Sequence, residues 1–338
     1  MITDNDSLSE LSIIVVTWKN DELLGNCLDS LHTACGDSPE IIVIDNAGRS
    51  STKKLAGKYR NVQYVSSPEN LGFAGGNNLG LQHCSRKFIL LLNNDTVVHE
   101  EPFSQMIAYM KARPEVVVTQ GKMRLVRRGD VLDSCGISIS PHGLVFDEHT
   151  GRPMKTTATP SGPVFSAKGA CMMIRREVID ELGGVLFYDF FKSFYEEIDF
   201  CHRVWISGRE VHFVDTPPID HLQGCTASRF NQRELAIRHL ANLYFSRLTV
   251  FDGYGIATSL LSFFTVQCLV FVSYLVRLQF DRMGVVASAV RDVIRRRKHI
   301  LVARKTIVAY RKIPDRELLI RIVTPVSFAK EIRILRAV

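Results

Sequence analysis

Short apolar runs alternate with amphipathic stretches in the N-terminal third of the chain. The apolar runs, each bounded by turn-forming residues, predict strands at Leu11–Thr17, Glu40–Asp45, Val62–Val65 and Phe88–Asn93. The stretches between them predict helices at about Asp21–Leu31, Thr52–Tyr59 and Ala74–Gln82. Strands that alternate with helices in this way are typical of βαβ units, so the pattern predicts an α/β protein.

The pattern loosens in the middle of the chain. Residues 123–166 are rich in Gly and Pro and predict an insertion of turns and short strands. Cys171–Ile174 predicts another strand, and Val211–Val214 predicts one more after a helix that ends at Gly208.

The C-terminal third combines helical periodicity with an uncharged run. We expect an α/β domain over residues 1–230 and a helical region over residues 231–338. The run Ile256–Val276 has no charged residue and is long enough to cross a bilayer, which takes about 20 residues. A spanning helix would place the basic end of the chain on the far side, whereas Lys and Arg tend to remain cytoplasmic.

Positive charge borders an apolar helix face beyond that run. The residues of the face are Val286, Val290, Val293 and Ile294, and those that flank it are Arg291, Arg295 and Arg296. This pattern is typical of a helix that lies in the headgroup layer of a membrane. We expect monotopic or re-entrant attachment to the anionic, cytoplasmic face of the cell membrane. The alternatives are a single spanning helix and a helix that packs on the α/β domain.

Composition and charge narrow the class of protein. With 338 residues, of which 46% are hydrophobic and 23% charged, the chain can bury a full core. The N-terminus has neither the basic nor the apolar region of a secretion signal, so we expect no secretion. The net charge of +7 is concentrated beside an apolar run and carries no nucleic-acid-binding motif, so we expect no nucleic acid partner.

Polar residues follow several predicted strands, at the edge where open α/β sheets bind ligands. Asp45 and Asp95 lie at such strand ends, where either can cap a turn; the carboxylate of Asp95 can instead hold a divalent cation. The segment Glu196–Asp199 places three carboxylates at a helix N-terminus, where the helix dipole also favours negative charge. His221 can be a metal ligand or a structural histidine.

A stretch rich in glycine and asparagine, ENLGFAGGNNLG, spans Glu69–Gly80. It lacks the Lys-Ser/Thr that ends a P-loop and the G-x-G-x-x-G spacing of a dinucleotide-binding turn. Neither of these two phosphate-binding motifs therefore accounts for it.

Seven segments, taken together and in this order, resemble a known family. They are SIIVVTWKN, IIVIDNAGRSS, ENLGFAGGNN, FILLLNNDT, KGACMMIRREV, FYEEIDFCHR and the segment around His221, and they cover about Leu11–Phe230. They resemble the inverting family 2 glycosyltransferases of the GT-A fold, in particular the branch of rhamnosyltransferases and galactofuranosyltransferases. The resemblance implies a Rossmann-like mixed sheet that binds a nucleotide diphosphate-sugar, followed here by a helical, membrane-associating region.

The resemblance also implies roles for individual residues. The glycine stretch would close over the donor, Asp45 would accept hydrogen bonds from the nucleotide base, and Asp95 and His221 would hold Mg²⁺ or Mn²⁺ on the diphosphate. The donor-site residues implied are Thr17, Asp45, Asn70, Gly72, Phe73, Gly75, Asn77, Asn78 and Asn94. The segment that borders the acceptor sugar is matched by Lys168, Gly169 and Ala170.

Two positions depart from the family pattern. The Asp-x-Asp metal motif is replaced by Asn93-Asn94-Asp95, which keeps one carboxylate. Where the family has Glu-Asp, this chain has Glu196-Glu197, so we expect Glu197 to be the catalytic base, with Glu196 and Asp199 as alternatives. Asp199 and Arg203 lie one helical turn apart, and we expect them to form a structural pair that braces the base.

The function implied is inverting transfer of a rhamnose-like or other hexose from a nucleotide diphosphate-sugar. The acceptor implied is a hydroxyl of a glycan or of a polyprenyl-diphosphate-linked glycan, in the synthesis of a cell-surface polysaccharide. The alternative, to which the Glu197 departure gives weight, is a catalytically degenerate donor-binding or scaffold protein of the same fold.

Overall fold

A mixed β-sheet forms the centre of the α/β part of the molecule. The computed structural model describes residues 5–140, 143–222, 231–258, 272, 275–276 and 280–326. The strands are β1 (Leu11–Thr17), β2 (Glu40–Asp45), β3 (Val62–Ser66), β4 (Phe88–Asn93), β5 (Thr96–Val98), β6 (Val116–Leu125), β7 (Val131–Ser134), β8 (Ile137–Ile139), β9 (Val145–Asp147), β10 (Gly162–Pro163), β11 (Cys171–Arg175) and β12 (Glu210–His221). The order across the main sheet is β3-β2-β1-β4-β11-β6-β12-β10, with β7 beside β6 and β5 beside β12, while β8 pairs with β9.

The direction of the strands changes at β11. Strands β3, β2, β1 and β4 are parallel neighbours, whereas β11 runs antiparallel to β4 and β6. Strands β6 and β12 are again parallel to each other. The four strands predicted in the N-terminal third are confirmed, and the sheet is mixed.

Helices cover both faces of this sheet. In the α/β part they are α1 (Asn5–Leu8), α2 (Asp21–Cys35), α3 (Ser50–Ala56), α4 (Gly72–Leu81), α5 (Phe103–Lys111), α6 (Glu177–Glu181) and α7 (Glu196–Ile206). Successive side chains of a strand point to opposite faces, so Ile13 and Val15 of β1 join the core under α2, whereas Ile14 packs under α4. The largely apolar β1 is therefore buried on both sides.

Two strands extend beyond the predicted pattern. Strand β6 has no counterpart among the predicted strands, and β12 reaches His221 where the pattern predicts only Val211–Val214. An irregular register between Val214 and Ile219 lets β12 continue past Pro217 and Pro218, which cannot donate to the ladder. Beyond it, β12 pairs with both β5 and the end of β6, which brings His221 to the ligand edge of the sheet.

The C-terminal helices pack on the α/β part through a shared core. They are α8 (Gln232–Val250), α9 (Phe280–Arg295), α10 (Arg297–Tyr310) and α11 (Asp315–Ile322). Their buried residues, which include Phe245, Ile307 and Leu318, belong to the same apolar cluster as Ile14. The backbone N–H groups of Lys312 and Ile313 donate to the carbonyl that ends α7, at 2.8 and 3.0 Å. The region is helical over most of the residues that the structure describes there, and the boundary at residue 230 stays a prediction.

The predicted apolar face of α9 divides between the core and the surface. Val286 and Val293 pack against the core, whereas Val290 and Ile294 are exposed. The protein itself thus covers one edge of this face and leaves the other edge exposed, so the whole face is not available to a membrane. Within the described residues, no helix is both long and apolar enough to cross a membrane. Most of the uncharged run Ile256–Val276 lies outside those residues.

Candidate active site

A cleft of about 680 Å³ opens at the carboxyl ends of β1 and β4. The predicted site residues in its wall are Thr17, Asn70, Gly72, Phe73, Asn94, Asp95, Lys168, Gly169, Ala170, Glu196, Glu197 and His221. The cleft thus lies where the ends of β1, β4 and β12 meet the segment before β11 and the start of α7. Helix α8 closes a further side of the cleft with Leu235, Arg238 and His239.

A chain of alternating charges runs through the floor of the cleft. His221 Nε2 lies 3.3 Å from Asp95 Oδ1, and His221 Nδ1 lies 2.8 Å from Asp133 Oδ2. The other oxygen of Asp133 accepts a hydrogen bond from Lys168 Nζ at 3.1 Å, and Lys168 also pairs with Asp147 at 3.4 Å. Asp133 is fully buried and bonds both His221 and Lys168, so it holds these two cations in fixed positions.

The contacts among these charged side chains shift the pKa values of His221 and Asp133. Burial opposes the charged form of His221, but hydrogen bonds and charge from Asp133 and Asp95 raise its pKa to about 9. Burial likewise opposes the charged form of Asp133, yet its bonds to His221 and Lys168 lower its pKa. Without a metal ion, His221 and Asp133 are thus both charged at neutral pH, and an ion that binds His221 would displace its proton.

Asp95 and His221 fit the role of metal ligands. An oxygen and a nitrogen that each bind one divalent ion at about 2.1 Å lie roughly 3 Å apart, close to the 3.3 Å observed here. A carboxylate on the second nitrogen of a ligating histidine, as Asp133 provides, is the usual support for such a ligand. No group of three or more potential ligands gathers in the described part of the chain. Such a two-ligand site leaves other positions of an ion to water and to phosphate oxygens.

The donor end of the cleft is polar and already ordered. Asn94 Nδ2 donates to Thr17 Oγ1 at 2.9 Å, which joins the ends of β1 and β4. Asn70 Oδ1 accepts from the backbone N–H of Gly72 at 2.9 Å and shapes the turn that enters α4. The side chain of Asn46 donates to the Gly72 carbonyl at 3.0 Å, so the turn after β2 is tied to the same point.

The glycine stretch is a helix rather than a loop. Helix α4 begins at Gly72, so the predicted donor residues Gly75, Asn77 and Asn78 are helical and stand outside the cleft wall. Asn77 bonds the carbonyl of Phe73, and Asn78 bonds Phe187 and Asp189 across to the next segment. A Cβ on Gly75, Gly76 or Gly80 would fall within 3 Å of the side chain of Leu71, Val16 or Ile14 respectively. The helix predicted at about Ala74–Gln82 is therefore confirmed and begins at Gly72, and Gly75, Gly76 and Gly80 allow its close packing. Closure of the stretch over the donor stays a prediction.

Asp45 is fully buried and serves its own turn. Its oxygens accept from the backbone N–H groups of Ala47 and Arg49 at 2.9 and 2.7 Å, and from the Tyr64 hydroxyl at 3.0 Å. The turn role that the sequence left open is therefore present. Its predicted contact with the nucleotide base stays a prediction, and the neighbouring Asn46 is the residue of this turn that reaches the cleft.

The three carboxylates at the start of α7 have different environments. Asp199 is fully buried, bonds Arg203 Nε at 2.9 Å and stands outside the cleft wall. The predicted structural pair is confirmed. The alternative that Asp199 is the catalytic base is corrected, because its carboxylate is paired with Arg203. Glu196 and Glu197 both line the cleft, and each has a buried Oε2 without a hydrogen-bond partner in the described part of the protein.

Burial raises the pKa of both glutamates. Burial, with the charge of Glu197 second, raises the pKa of Glu196 well above its usual value. Burial raises the pKa of Glu197 to about 7, with the charge of Asp147 adding to the effect and that of Lys168 opposing it. Glu196, of which 3% is exposed, is buried more deeply than the half-buried Glu197, and Glu197 can exchange a proton near neutral pH.

The segment before β11 links the two ends of the cleft. The backbone N–H of Lys168 donates to Gln120 at 2.6 Å, and a Cβ on Gly169 would lie 2.9 Å from the ring of Phe73. Glycine at position 169 therefore lets the ring of Phe73 lie against this segment.

Several cleft residues have no signal in the sequence. Asp133 and Asp147 lie in the turn-rich insertion, and their places depend on how β7 pairs with β6 and β9 with β8. Arg238 and His239 lie on α8, beyond the region that resembles the family. A single Asp in an irregular segment has no spacing that would mark it, so pairing register was needed to find these residues.

Comparison with known proteins identifies the family. The family described as Glycosyl transferase family 2 matches residues 12–183, just over half of the chain. The chain belongs to glycosyl transferase family 2. The predicted resemblance to family 2 is thereby confirmed, while its branch of rhamnosyltransferases and galactofuranosyltransferases stays a prediction.

Two relatives illustrate the range of likeness to this family 2 glycosyltransferase. The low-salt glycan biosynthesis hexosyltransferase Agl10 of Haloferax volcanii is 25% identical over 254 residues, which cover 72% of this chain and 78% of that protein. The amylovoran biosynthesis glycosyltransferase AmsE of Erwinia amylovora is 31% identical over 131 residues, or 34% of this chain and 49% of that protein.

Solved structures show the same fold. GalNAc-T7, crystallised with UDP, GalNAc and Mn²⁺, matches with a TM-score of 0.57 and 15% identity, over 72% of this chain and 48% of that one. TarS 1–349 of S. aureus matches with a TM-score of 0.55 and 15% identity, over 89% of this chain and 88% of that one. The α/β, GT-A-like mixed sheet is therefore confirmed.

Proposed function

We propose that this glycosyltransferase moves a hexose, of the rhamnose kind or another, from a nucleotide diphosphate-sugar to a glycan hydroxyl with inversion at the anomeric carbon. The observation that carries the proposal is the Glu197 carboxylate, whose Oε2 has no partner among the described residues and which lines the same cleft as the Asp95–His221 pair. A base and an anion-neutralising centre in one cleft are the two parts that a single displacement requires.

The reaction proceeds in one step. The acceptor oxygen forms a bond to the anomeric carbon while the bond from that carbon to the diphosphate oxygen breaks. Glu197 takes the proton of the acceptor hydroxyl, and the nucleotide diphosphate leaves with the electron pair. A pKa of about 7 makes Glu197 a stronger base than an ordinary carboxylate while leaving much of it ionised at neutral pH.

Asp95 and His221 would hold Mg²⁺ or Mn²⁺, which supplies positive charge to the diphosphate when bound. The Mn²⁺ and UDP in the GalNAc-T7 structure support this choice of ion and donor. Thr17, Asn70 and Asn94 orient the donor at the polar end of the cleft, while Lys168 and Gly169 border the acceptor.

The acceptor we propose is a glycan linked to polyprenyl diphosphate, met at the cytoplasmic face of the membrane. Exposed apolar side chains on α9 and α10 support it: Ile294, Leu301, Val302 and Val308 are each more than half exposed. Basic residues lie among them, namely Arg291, Arg295, Arg297, Lys298 and Lys305. Apolar and basic groups on one surface suit an anionic headgroup layer.

A donor panel tests the proposal. The purified protein, with Mn²⁺ and a lipid-linked acceptor, should release nucleotide diphosphate from one donor and form a glycoside of inverted configuration. The degenerate donor-binding alternative predicts protection of a donor without release. Release with retained configuration would contradict the single displacement.

A further inference from the structure

The backbone just before the two glutamates adopts a rare conformation. Lys192 has φ 57° and ψ −59°, and the N–H of Ser193 donates to the Phe191 carbonyl at 2.6 Å, which defines a γ-turn of the strained, positive-φ kind. Phe194 and Tyr195 follow with φ of 71° and 76°. Bulky residues seldom hold positive φ unless their surroundings enforce it.

The enforcing contact comes from α8. Asn242, fully buried, points its Nδ2 group at three carbonyls of this loop: those of Phe191, Ser193 and Phe194, at 3.0, 3.2 and 2.9 Å. An amide NH₂ has two hydrogens, so the three carbonyls share them. One side chain thus bonds three of the five carbonyls of the loop 191–195.

The orientation of that amide is itself fixed from the C-terminal helices. Arg296, which follows α9, donates from NH1 to Asn242 Oδ1 at 3.1 Å and pairs with Asp292 through NH2. Its guanidinium also lies 5.3 Å from the ring centre of Phe190. A cation beside Oδ1 leaves the NH₂ group to face the loop.

The opposite side of the loop rests on the donor end of the cleft. The N–H of Ala74 in α4 donates to the Lys192 carbonyl at 3.0 Å, and a Cβ on Gly72 would lie 2.4 Å from that oxygen. The loop therefore accepts hydrogen bonds from α4 on one side and from α8 on the other. Tyr195 is its last residue, and α7 begins with Glu196 and Glu197 directly after it.

We propose that Asn242 is a positioning residue that holds the loop 191–195 in its left-handed conformation and so fixes where the Glu197 carboxylate meets the acceptor. The proposal rests on the proposed function of Glu197. It makes the helices beyond residue 231 part of the active site, since the contact from Arg296 reaches the base through Asn242 and the loop.

The test compares Asn242→Ala with Thr249→Val on the same helix. Thr249 is also buried, but its hydroxyl donates to carbonyls of α8 itself. Removal of this hydroxyl therefore breaks no hydrogen bond to the loop. Asn242→Ala should lower kcat by about tenfold to a hundredfold, because misplacement of a reacting group by about 1 Å costs up to that much. The donor KM should stay within about twofold, and Thr249→Val should match wild type in both.

A second substitution separates positioning from general loss of stability. The side chain of Lys192 is exposed, and glycine adopts positive φ without strain, so Lys192→Gly should restore part of kcat in the Asn242→Ala background. Hydrogen exchange should show faster exchange of residues 191–197 in Asn242→Ala than in wild type.

Unchanged kcat in Asn242→Ala would overturn the proposal. So would a loss of kcat that is matched by loss of donor affinity and is not restored by Lys192→Gly. If Glu197→Gln proves fully active, the assignment of the base fails instead, and exchange of the loop still decides whether Asn242 holds it.

Discussion

At the scale of single residues, environment rather than identity distinguishes the carboxylates of the site. Glu196, Glu197 and Asp199 are close in sequence and are chemically alike. Arg203 pairs with Asp199, deep burial raises the pKa of Glu196 well above its usual value, and the less buried Glu197 has a pKa of about 7. Their spacing alone predicts a cluster, whereas the partner of each carboxylate comes from packing.

The pKa of Glu197 predicts the pH dependence of transfer. Glu197 must be ionised to accept a proton, so kcat/KM should rise with pH through about 7 and then level off. The charge of Asp147 raises this pKa, so Asp147→Asn should move the rising limb to lower pH. Glu148→Gln makes the same change of charge one residue away and should leave the limb in place. A pH profile of kcat/KM for the three proteins measures this; a limb that moves up in Asp147→Asn would contradict it.

At the scale of elements, the sequence predicts what depends on local pattern and misses what depends on pairing. The continuous apolar runs of β1 and β4 mark strands that are buried on both faces. Asp133 takes its position from the register of β7 on β6, in which Met123 opposes Ser134, and no local periodicity encodes that register. Helix α4 begins at Gly72, two residues before the predicted Ala74, and its first turn bonds the distant Lys192 carbonyl, a contact that no local pattern encodes.

The packing of α4 on β1 gives a stability prediction. A Cβ on Gly80 would lie 2.5 Å from Ile14 Cγ2, and Ile14 is fully buried. Overpacking of this kind costs about 1–3 kcal/mol, which exceeds the gain of at most about 1 kcal/mol from Ala over Gly in a helix. Gly80→Ala should therefore lower the urea midpoint.

Gly162→Ala is the matched control. A Cβ there meets no described atom within 4 Å, so the midpoint should change little. A more stable Gly80→Ala protein would show that α4 can move away from β1 at no cost.

At the scale of the whole molecule, the C-terminal helices serve both the core and the surface. Arg304 donates to the carbonyls of Leu248 and Phe251 at 2.7 and 2.8 Å, and Ile307 and Leu318 are buried in the common core. Truncation near Gly253 would expose this core, so point substitutions are the better probe of membrane contact.

Membrane association should depend on the exposed apolar residues of α10. Replacing Leu301 and Val302 by Ser should weaken co-sedimentation with anionic vesicles, while turnover with a water-soluble acceptor is retained. Val126 is an exposed apolar residue flanked by Arg127 and Arg128 in the insertion, so Val126→Ser is the matched control and should bind like wild type. Equal binding by all three proteins, or none by wild type, would count against the attachment.

The measurement that tests the central claim most directly is single-turnover transfer by Glu197→Gln beside titration of donor binding. Glutamine keeps the size of the side chain but accepts no proton. In the presence of Mn²⁺, the variant should bind the donor with an affinity near that of wild type. Its rate of transfer should be lower by at least about a hundredfold, which is the usual contribution of a general base. Glu196→Gln, which changes the more deeply buried carboxyl beside the base, should keep most of the activity. Transfer by Glu197→Gln at a rate near wild type, with Glu196→Gln inactive, would contradict the assignment of the base.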